Sequence, residues 1–252
     1  MRQRKCASPD KDVMVTPPPT PDVAEQLAGT ELFGGLSSEV LAEVATLGRV
    51  HRLAAGAMLF SQGAPADRCH ALIAGRVRVA QSGVEGAQVI VRFVGPDEMF
   101  GTVALFTDHR YPAEATSVVD SVEISWTEPT LLDLIHRHPR IALNLVSIIG
   151  TRLREAQERL RELATQRVDQ RIAHALLRLA GPSGFAGRDD AAIEFPLTRQ
   201  DLADMCGATL YTVSRVLTAW EKAGYVRTQR KYVCLRKLGE IRRIAGEPPQ
   251  LR

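Results

Sequence analysis

Seven glycines, at positions 56, 63, 75, 83, 86, 95 and 101, cut the stretch from His51 to Glu128 into short β-rich runs. The runs are Ala57–Phe60, His70–Ile73, Arg76–Ala80, Gln88–Phe93 and Val118–Trp126. Apolar and polar residues alternate through Arg76-Val77-Arg78-Val79 and Gln88-Val89-Ile90-Val91-Arg92, the period of a strand with one covered face. Such strands, parted by turn formers and by no helical period, satisfy their backbones by pairing antiparallel with one another. An antiparallel roll or barrel follows. A short helix is expected just before it, because Ser37-Ser38-Glu39 can cap the apolar pattern Val40, Leu41, Val44, Leu47.

After Pro139, a residue suited to a helix start, the period becomes helical. Apolar positions run Ile141, Leu145, Ile148, Ile149, Leu153, Ala156, Leu160, Leu163, flanked by Arg152, Arg154, Glu155, Glu158, Arg159 and Arg161. A helix of roughly 25 residues would be about 40 Å long. It could be a core helix of the roll or one strand of a two-stranded coiled coil. The narrow seam favours the coiled coil, a homodimer with Ile141, Leu145, Ile149, Leu153, Ala156, Leu160 and Leu163 at the interface. A second helix, Val168–Ala180, leads to a loop at Gly181–Ala192.

Thr198 and Asp201 then form a capping-box start to another helix, with Leu202, Ala203 and Met205 on its apolar side. Cys206-Gly207-Ala208 makes a tight turn, and Thr209 can cap a further helix, Leu210 to Lys222. Val213, Val216, Leu217 and Trp220 face inward there, leaving Tyr211, Thr212, Ser214, Arg215 and Thr218 outward. Two β runs, Tyr225–Thr228 and Tyr232–Leu235, flank a basic turn. This is a winged helix-turn-helix, which places its second helix in a major groove. Base contacts fall to Arg215, Tyr211, Ser214 and Thr212, with Arg215 bidentate to guanine O6 and N7. Phosphate contacts fall to Thr198, Arg199, Gln200, Thr209, Arg230 and Lys231. Ten Lys/Arg stand against four Asp/Glu between 198 and 246, while the whole chain carries only +3. That basic module suits a polyanion, double-stranded DNA with an inverted-repeat site.

Apolar residues make up 45% of the chain and charged residues 24%, as in a globular protein. No apolar run can span a bilayer, and the N-terminus, rich in Pro17–Pro21, lacks the apolar stretch of a secretory signal, so a cytoplasmic protein is expected. Cys6, Cys69, Cys206 and Cys234 are too scattered for a disulfide framework or a thiolate zinc site. No nucleophile elbow, P-loop, metal motif or dinucleotide fingerprint appears, so no enzyme is expected; Asp189-Asp190 sits in the Gly-rich loop. The expected class is α+β, divided into a Pro-rich tail (1–24), a β-roll (25–138), a dimerisation helix (139–166) and a winged helix-turn-helix (167–247).

This order, with Gly56, Gln62-Gly63, Ile73 to Val77, Gly95 to Gly101, Leu105-Phe106, Leu197 to Leu202 and Thr212 to Val216, resembles the CRP/FNR family of bacterial transcription regulators. The resemblance covers about Leu32 to Ala245. It implies a homodimer, a cyclic-nucleotide-binding-like sensory roll, a hinge near Gln166–Val168 and RNA polymerase as a partner. It also places a degenerate effector pocket at Gly101, Thr102, Val103, Arg110, Pro112, Ala113, Ala156 and Gln157. Cyclic-AMP-binding members carry Glu where this chain has Thr102, an Arg-Ser pair where it has Pro112 and Ala113, and Thr-Ser where it has Ala156 and Gln157. Those losses argue against cyclic AMP. An iron–sulfur cluster is rejected because Cys6 and Cys69 supply only two of four ligands. Haem stays an alternative, with His70, Cys69, His109, His136 and His138 as candidate ligands, and so does a redox thiol at Cys69. A cyclic-nucleotide-binding module without DNA output is the weaker alternative. In the reader, Tyr211 replaces the Glu that family members use to accept from cytosine, so the neighbouring base preference is expected to differ.

Overall fold

The computed structural model describes residues 23–83, 86–181 and 190–246. The Pro-rich tail, Cys6 and most of the Gly-rich loop with Asp189 lie outside them. The chain forms two compact units, one ending at Leu160 and the other starting at Arg161.

The first unit opens with α1 (Val23–Leu27) and α2 (Ser38–Leu47), the latter capped by the Ser37 hydroxyl as expected. Eight strands follow: β1 (Arg49–Leu53), β2 (Met58–Phe60), β3 (Arg68–Ala74), β4 (Val77–Ser82), β5 (Gln88–Val94), β6 (Met99–Phe100), β7 (Glu114–Ser117) and β8 (Ser121–Thr127). They make two four-stranded sheets, ordered β1-β8-β3-β6 and β2-β7-β4-β5, with antiparallel pairings throughout. The expected antiparallel roll is therefore present. The run Val118–Trp126 proves to be a turn followed by β8. Strand β1 carries no signal in the sequence, because Arg49, Val50, His51 and Arg52 are all exposed and no alternation marks it.

The expectation of a roll without helices needs correction. Gly101, at φ 72°, turns the chain into α3 (Thr102–Leu105), and α4 (Glu128–Arg137) starts under a Thr127 cap with Pro129 in its first turn. Both precede Pro139. The core beneath them gathers Leu32, Phe33, Val44, Leu131 and Leu134 around fully buried Trp126. The Trp126 indole Nε1 donates to the Val44 carbonyl at 2.8 Å, and Phe33 meets its ring edge-on at 4.9 Å.

α5 (Arg140–Thr165) then runs 26 residues, close to the length the period predicts. Its seam is not one surface. Ile141 and Leu145 are buried in the roll's own core, and Ile148 packs against it. Asn144 Nδ2 fixes that face by donating to the Leu32 and Gly34 carbonyls, at 2.9 and 3.0 Å. Ile141 and Leu145 are thus withdrawn from the interface expected of them, because the first turns of the helix cover the roll. Val146, Ile149, Leu153, Ala156, Leu160 and Leu163 are the positions left exposed at 3-4 spacing.

The second unit holds α6 (Val168–Ala180), β9 (Ala191–Ala192), α7 (Arg199–Cys206), α8 (Leu210–Lys222), β10 (Val226–Gln229), β11 (Tyr232–Leu235) and α9 (Leu238–Ala245). Its sheet is ordered β10-β11-β9. Ala191 and Ala192, expected in a loop, pair with Leu235 and Cys234 instead. Ile172, Leu176, Leu202, Val213, Leu217 and Ile241 close its core.

Gly75 shows how tightly the roll is built. It sits at φ 98°, and a Cβ there would lie 2.7 Å from Ser121 Cα. Gly56 has a similar φ of 82° but open space around it. Denaturant unfolding is expected to show Gly75→Ala losing about 3 kcal/mol or more, whereas Gly56→Ala loses only the roughly 1–2 kcal/mol of left-handed strain. Equal losses would refute the close packing.

Candidate nucleic-acid interface

The reading head is assembled by caps. The Thr198 hydroxyl accepts from Asp201 N at 3.0 Å, and the Asp201 carboxylate accepts from Thr198 N at 2.7 Å, a capping box with Asp in the Glu position. α7 ends at Gly207, whose φ of 58° and ψ of 49° are the left-handed values the turn requires. The Thr209 hydroxyl accepts from Thr212 N at 3.2 Å and starts α8. Val213, Leu217 and Trp220 are buried, which aims the opposite side of α8 outward.

That outward side carries Arg215 and Tyr211, the latter 76% exposed, beside half-buried Ser214. Among the described residues Arg215 has no ion pair or side-chain hydrogen bond, so five guanidinium donors stay available to a ligand. Thr212 does not join this face freely. It is half-buried, and its hydroxyl lies 2.9 Å from that of Thr209, so it shares one of its hydrogen bonds with the cap residue. Sequence reasoning missed Leu210, which is 47% exposed at the tip of the helix.

β10 and β11 pair with Gln229 opposite Tyr232, leaving Arg230 and Lys231 as a two-residue turn. Both have positive φ, 52° and 132°. Such turns normally take Asn-Gly, so two long cations here are held against their backbone preference. The Lys231 carbonyl accepts from Leu197 N at 2.6 Å, which ties the turn to the approach of α7. Between wing and helices lies a cleft of about 280 Å³, floored by Leu202 and Leu217 and rimmed by Thr198, Arg199, Arg230 and Lys231.

The phosphate candidates differ in freedom. Arg199 lies 3.7 Å from Glu221, and Gln200 donates to Asp204 at 2.7 Å. Glu221, unforeseen from sequence, also accepts from Thr228 N at 2.9 Å and so braces the wing against α8. Arg230 and Lys231 have no ion pair among the described residues.

The effector positions are a different matter. Gly101 backs onto rings: a Cβ there would lie 3.1 Å from His70 Cδ2 and 3.2 Å from Tyr111 Cε1. Phe60 stacks on Tyr111 at 3.8 Å, and His70 stacks on Phe100 at 5.1 Å. The His70 Nδ1 lies 3.1 Å from buried Glu123, and the Tyr111 hydroxyl donates to the Arg68 carbonyl at 3.0 Å. Thr102 is 5% exposed with its Oγ1 unpartnered, while Val103 is exposed. Ala113 is buried, Pro112 exposed, and Arg110 donates outward to the Gly63 carbonyl at 2.8 Å. Ala156 and Gln157 are exposed on α5. At the expected pocket positions Pro112 and Ala113 offer neither guanidinium nor hydroxyl, and Thr102 offers no carboxylate. These residues do not fit a cyclic nucleotide bound in that manner.

The haem candidates mostly have other partners. His109 lies 3.3 Å from Glu128 and His138 3.3 Å from Glu43, while His136 is exposed. Burial pushes the Cys69 thiol up to about 12. Among the described residues no group of three or more His, Cys, Asp or Glu could hold a metal ion, and no helix is long and apolar enough to cross a membrane.

A roll of this topology, a long helix and a winged reading head define a transcription regulator with a helix-turn-helix DNA-binding domain. The cyclic nucleotide-binding domain profile matches residues 50–138, and the Crp-like helix-turn-helix domain profile matches residues 170–244. The chain is 30% identical to the transcriptional regulator SdrP of Thermus thermophilus, over 72% of this chain and 85% of that protein. It is 26% identical to a CRP-like cAMP-activated global transcriptional regulator of Mycobacterium tuberculosis, over 84% of this chain and 94% of that one. Among solved structures, a transcriptional regulator of the CRP/FNR family from Thermus thermophilus superposes with a TM-score of 0.65 at 26% identity, covering 80% of this chain and all (100%) of that one. The chain belongs to the CRP/FNR family.

The raised Cys69 pKa has a checkable sign. A thiol held neutral in the fold adds no penalty below its unfolded value near 9 and costs stability as pH rises from there toward 12. At pH 8, iodoacetamide is expected to leave Cys69 unmodified in the folded protein and to label it after unfolding, read by peptide mass mapping. Rapid labelling of the folded chain would contradict the burial and revive a redox role.

Proposed function

We propose that the protein is a homodimeric, sequence-specific regulator whose roll answers to a signal other than cyclic AMP. The observation that carries the DNA reading is unpaired Arg215 on the outward side of α8, next to Tyr211 and beside a cationic wing. Arg215 reads a guanine, Tyr211 and Ser214 read its neighbours, and Arg230 and Lys231 hold phosphates with help from Thr198, Arg199, Gln200 and Thr209. RNA polymerase, implied by family membership, is the downstream partner.

The dimer reading rests on the exposed 3-4 series Val146, Ile149, Leu153, Ala156, Leu160 and Leu163 along α5. A second copy supplies the complementary seam, and two reading heads then address half-sites about 34–36 Å apart. The signal reading rests on Thr102, Pro112 and Ala113 and on the ring cluster behind Gly101. Haem is the second candidate. At His70 it would have to displace Glu123, so a Soret band in protein expressed with haem supply would favour it against the present reading.

Selection from a random DNA pool is expected to yield an inverted repeat with a guanine in each half-site. Arg215→Ala should lose that guanine and about 1–3 kcal/mol of discrimination per half-site. Affinity should fall steeply with salt, and less steeply for the Arg230→Ala, Lys231→Ala double variant. A selection indifferent to Arg215→Ala would overturn the assignment. Leu153→Glu with Leu160→Glu is expected to give monomers in sedimentation and to cut operator affinity at least tenfold; a dimer surviving both changes would place the interface elsewhere.

A further inference from the structure

The turn between α7 and α8 is gripped from outside the helix pair. The last carbonyls of a helix have no partner within it, and α7 ends at Cys206. Arg171 of α6 reaches them. Its Nε donates to the Cys206 carbonyl at 2.9 Å and its Nη2 to the Gly207 carbonyl at 3.3 Å. Its Nη1 donates to the Gln166 carbonyl at 2.9 Å. Gln166 lies between α5 and α6, where the family resemblance places a hinge. One planar guanidinium thus spans three carbonyls on two segments far apart in the chain, and its charge faces the negative end of the α7 dipole. The contact is returned, because the Cys206 thiol lies 3.7 Å from the Arg171 carbonyl. Two further contacts press the same block together. Leu163 comes within 3.1 Å of where a Cβ on Gly207 would stand, and Glu162, 5% exposed, pairs with Arg178 at 2.6 Å.

Thr209 caps α8 two residues after Gly207, so the peptides of Cys206 and Gly207 set the direction in which α8 leaves the turn. Arg171 holds both peptides by their oxygens and holds the joint after α5 by a third. We infer that Arg171 is a positioning residue for DNA reading: it fixes the aim of α8 against that joint and does not itself touch DNA. The inference rests on the DNA reading proposed above. A lysine at 171 would keep the charge but not the fork, since one ammonium on a flexible stem cannot hold three carbonyls in a fixed geometry. The turn also carries its own reporter, the Cys206 thiol, whose residue is only 3% exposed.

The full-length protein is compared with its Arg171→Lys and Arg171→Met variants. Cooperative thermal unfolding checks that each is folded, iodoacetamide labelling of Cys206 with peptide mass mapping reads the turn, and fluorescence anisotropy on the selected operator and on a scrambled duplex reads DNA. Both variants are expected to label at Cys206 at least about fivefold faster, as local opening of the turn requires. Arg171→Lys should lose about tenfold in operator affinity, the scale of one charged hydrogen bond. Its affinity for the scrambled duplex should change less than about twofold, because that binding depends on charge, which lysine keeps. The inference is overturned if Arg171→Lys keeps wild-type operator affinity, if both duplexes lose affinity alike, or if Cys206 labelling is unchanged. Should neither variant fold, the wild-type chain decides by NMR: the Arg171 Nε–H should exchange with water at least about tenfold more slowly than that of Arg215, and equal exchange overturns the clamp. A wild-type chain that does not distinguish operator from scrambled duplex refutes the DNA reading itself, an outcome separate from an intact preference that Arg171→Lys leaves unmoved.

Discussion

Everything downstream of the roll depends on how the start of α5 is fastened. Ile141 and Leu145 enter the roll's core while Asn144 donates to two carbonyls of the segment after α1, so apolar burial and directional hydrogen bonds fix the same two turns. Burying two such side chains stabilises by about 3–6 kcal/mol, more than one helical turn gains by itself. Once that face is committed, helical geometry decides which residues point away. The exposed series that begins at Val146 is therefore a consequence of the anchor.

Further along, the helix is tied by charge rather than by oil. Arg159 donates to the Ile90 carbonyl at 3.1 Å and to that of Val91, at a bulge where Val91 has no partner on β4. Arg152 donates to Glu31 at 2.8 Å and lies 3.6 Å from Glu98, which pairs with Arg92 at 2.6 Å. Burial lowers the Arg92 pKa and raises that of Glu98. Burial also works against Arg152, but the Glu31, Glu98 and Glu155 carboxylates outweigh it and its pKa rises. Such a network adds little net stability beside an apolar contact of equal size, yet removing one member strands the others. It gives a definite register of helix on strand β5, which an apolar contact alone would leave free to slide.

The parts legible in the sequence were those where one physical signal acts alone. Alternation in β4 and β5, the helical period after Pro139, the capping residues Thr198 and Thr209 and the turn glycine Gly207 each announce themselves locally. What was not legible arose where two demands fall on one stretch. The α5 seam merged a core face with an exposed one, because both are apolar and only the neighbouring roll separates them. Thr212 stands on the reader's side of the helix by its spacing, and only the structure shows that its hydroxyl also meets that of Thr209. Glu123, Phe60, His70 and Phe100 come from four separate strands and Tyr111 from the segment before β7, so no spacing in the chain could have joined them.

The same contrast explains why the output of this protein is better defined than its input. Recognition of DNA needs exposed donors on a rigid frame, and identity plus exposure are what bring forward the proposed ones: Arg215 and Tyr211 on α8, Arg230 and Lys231 on a turn held at unfavourable φ. Strain of that kind costs of order 1–3 kcal/mol per residue and persists only when surroundings enforce it. Here the Lys231 carbonyl's bond to Leu197 N and the Glu221 brace on Thr228 supply the enforcement. The roll works by the opposite logic. Its polar groups are interior, and most are already satisfied by one another, as His70 is by Glu123 and Tyr111 by the Arg68 carbonyl. A small molecule entering there must replace those bonds before it adds any of its own. A ligand of the roll, in the reading proposed above, therefore has to outcompete an existing polar arrangement or act on it from the surface.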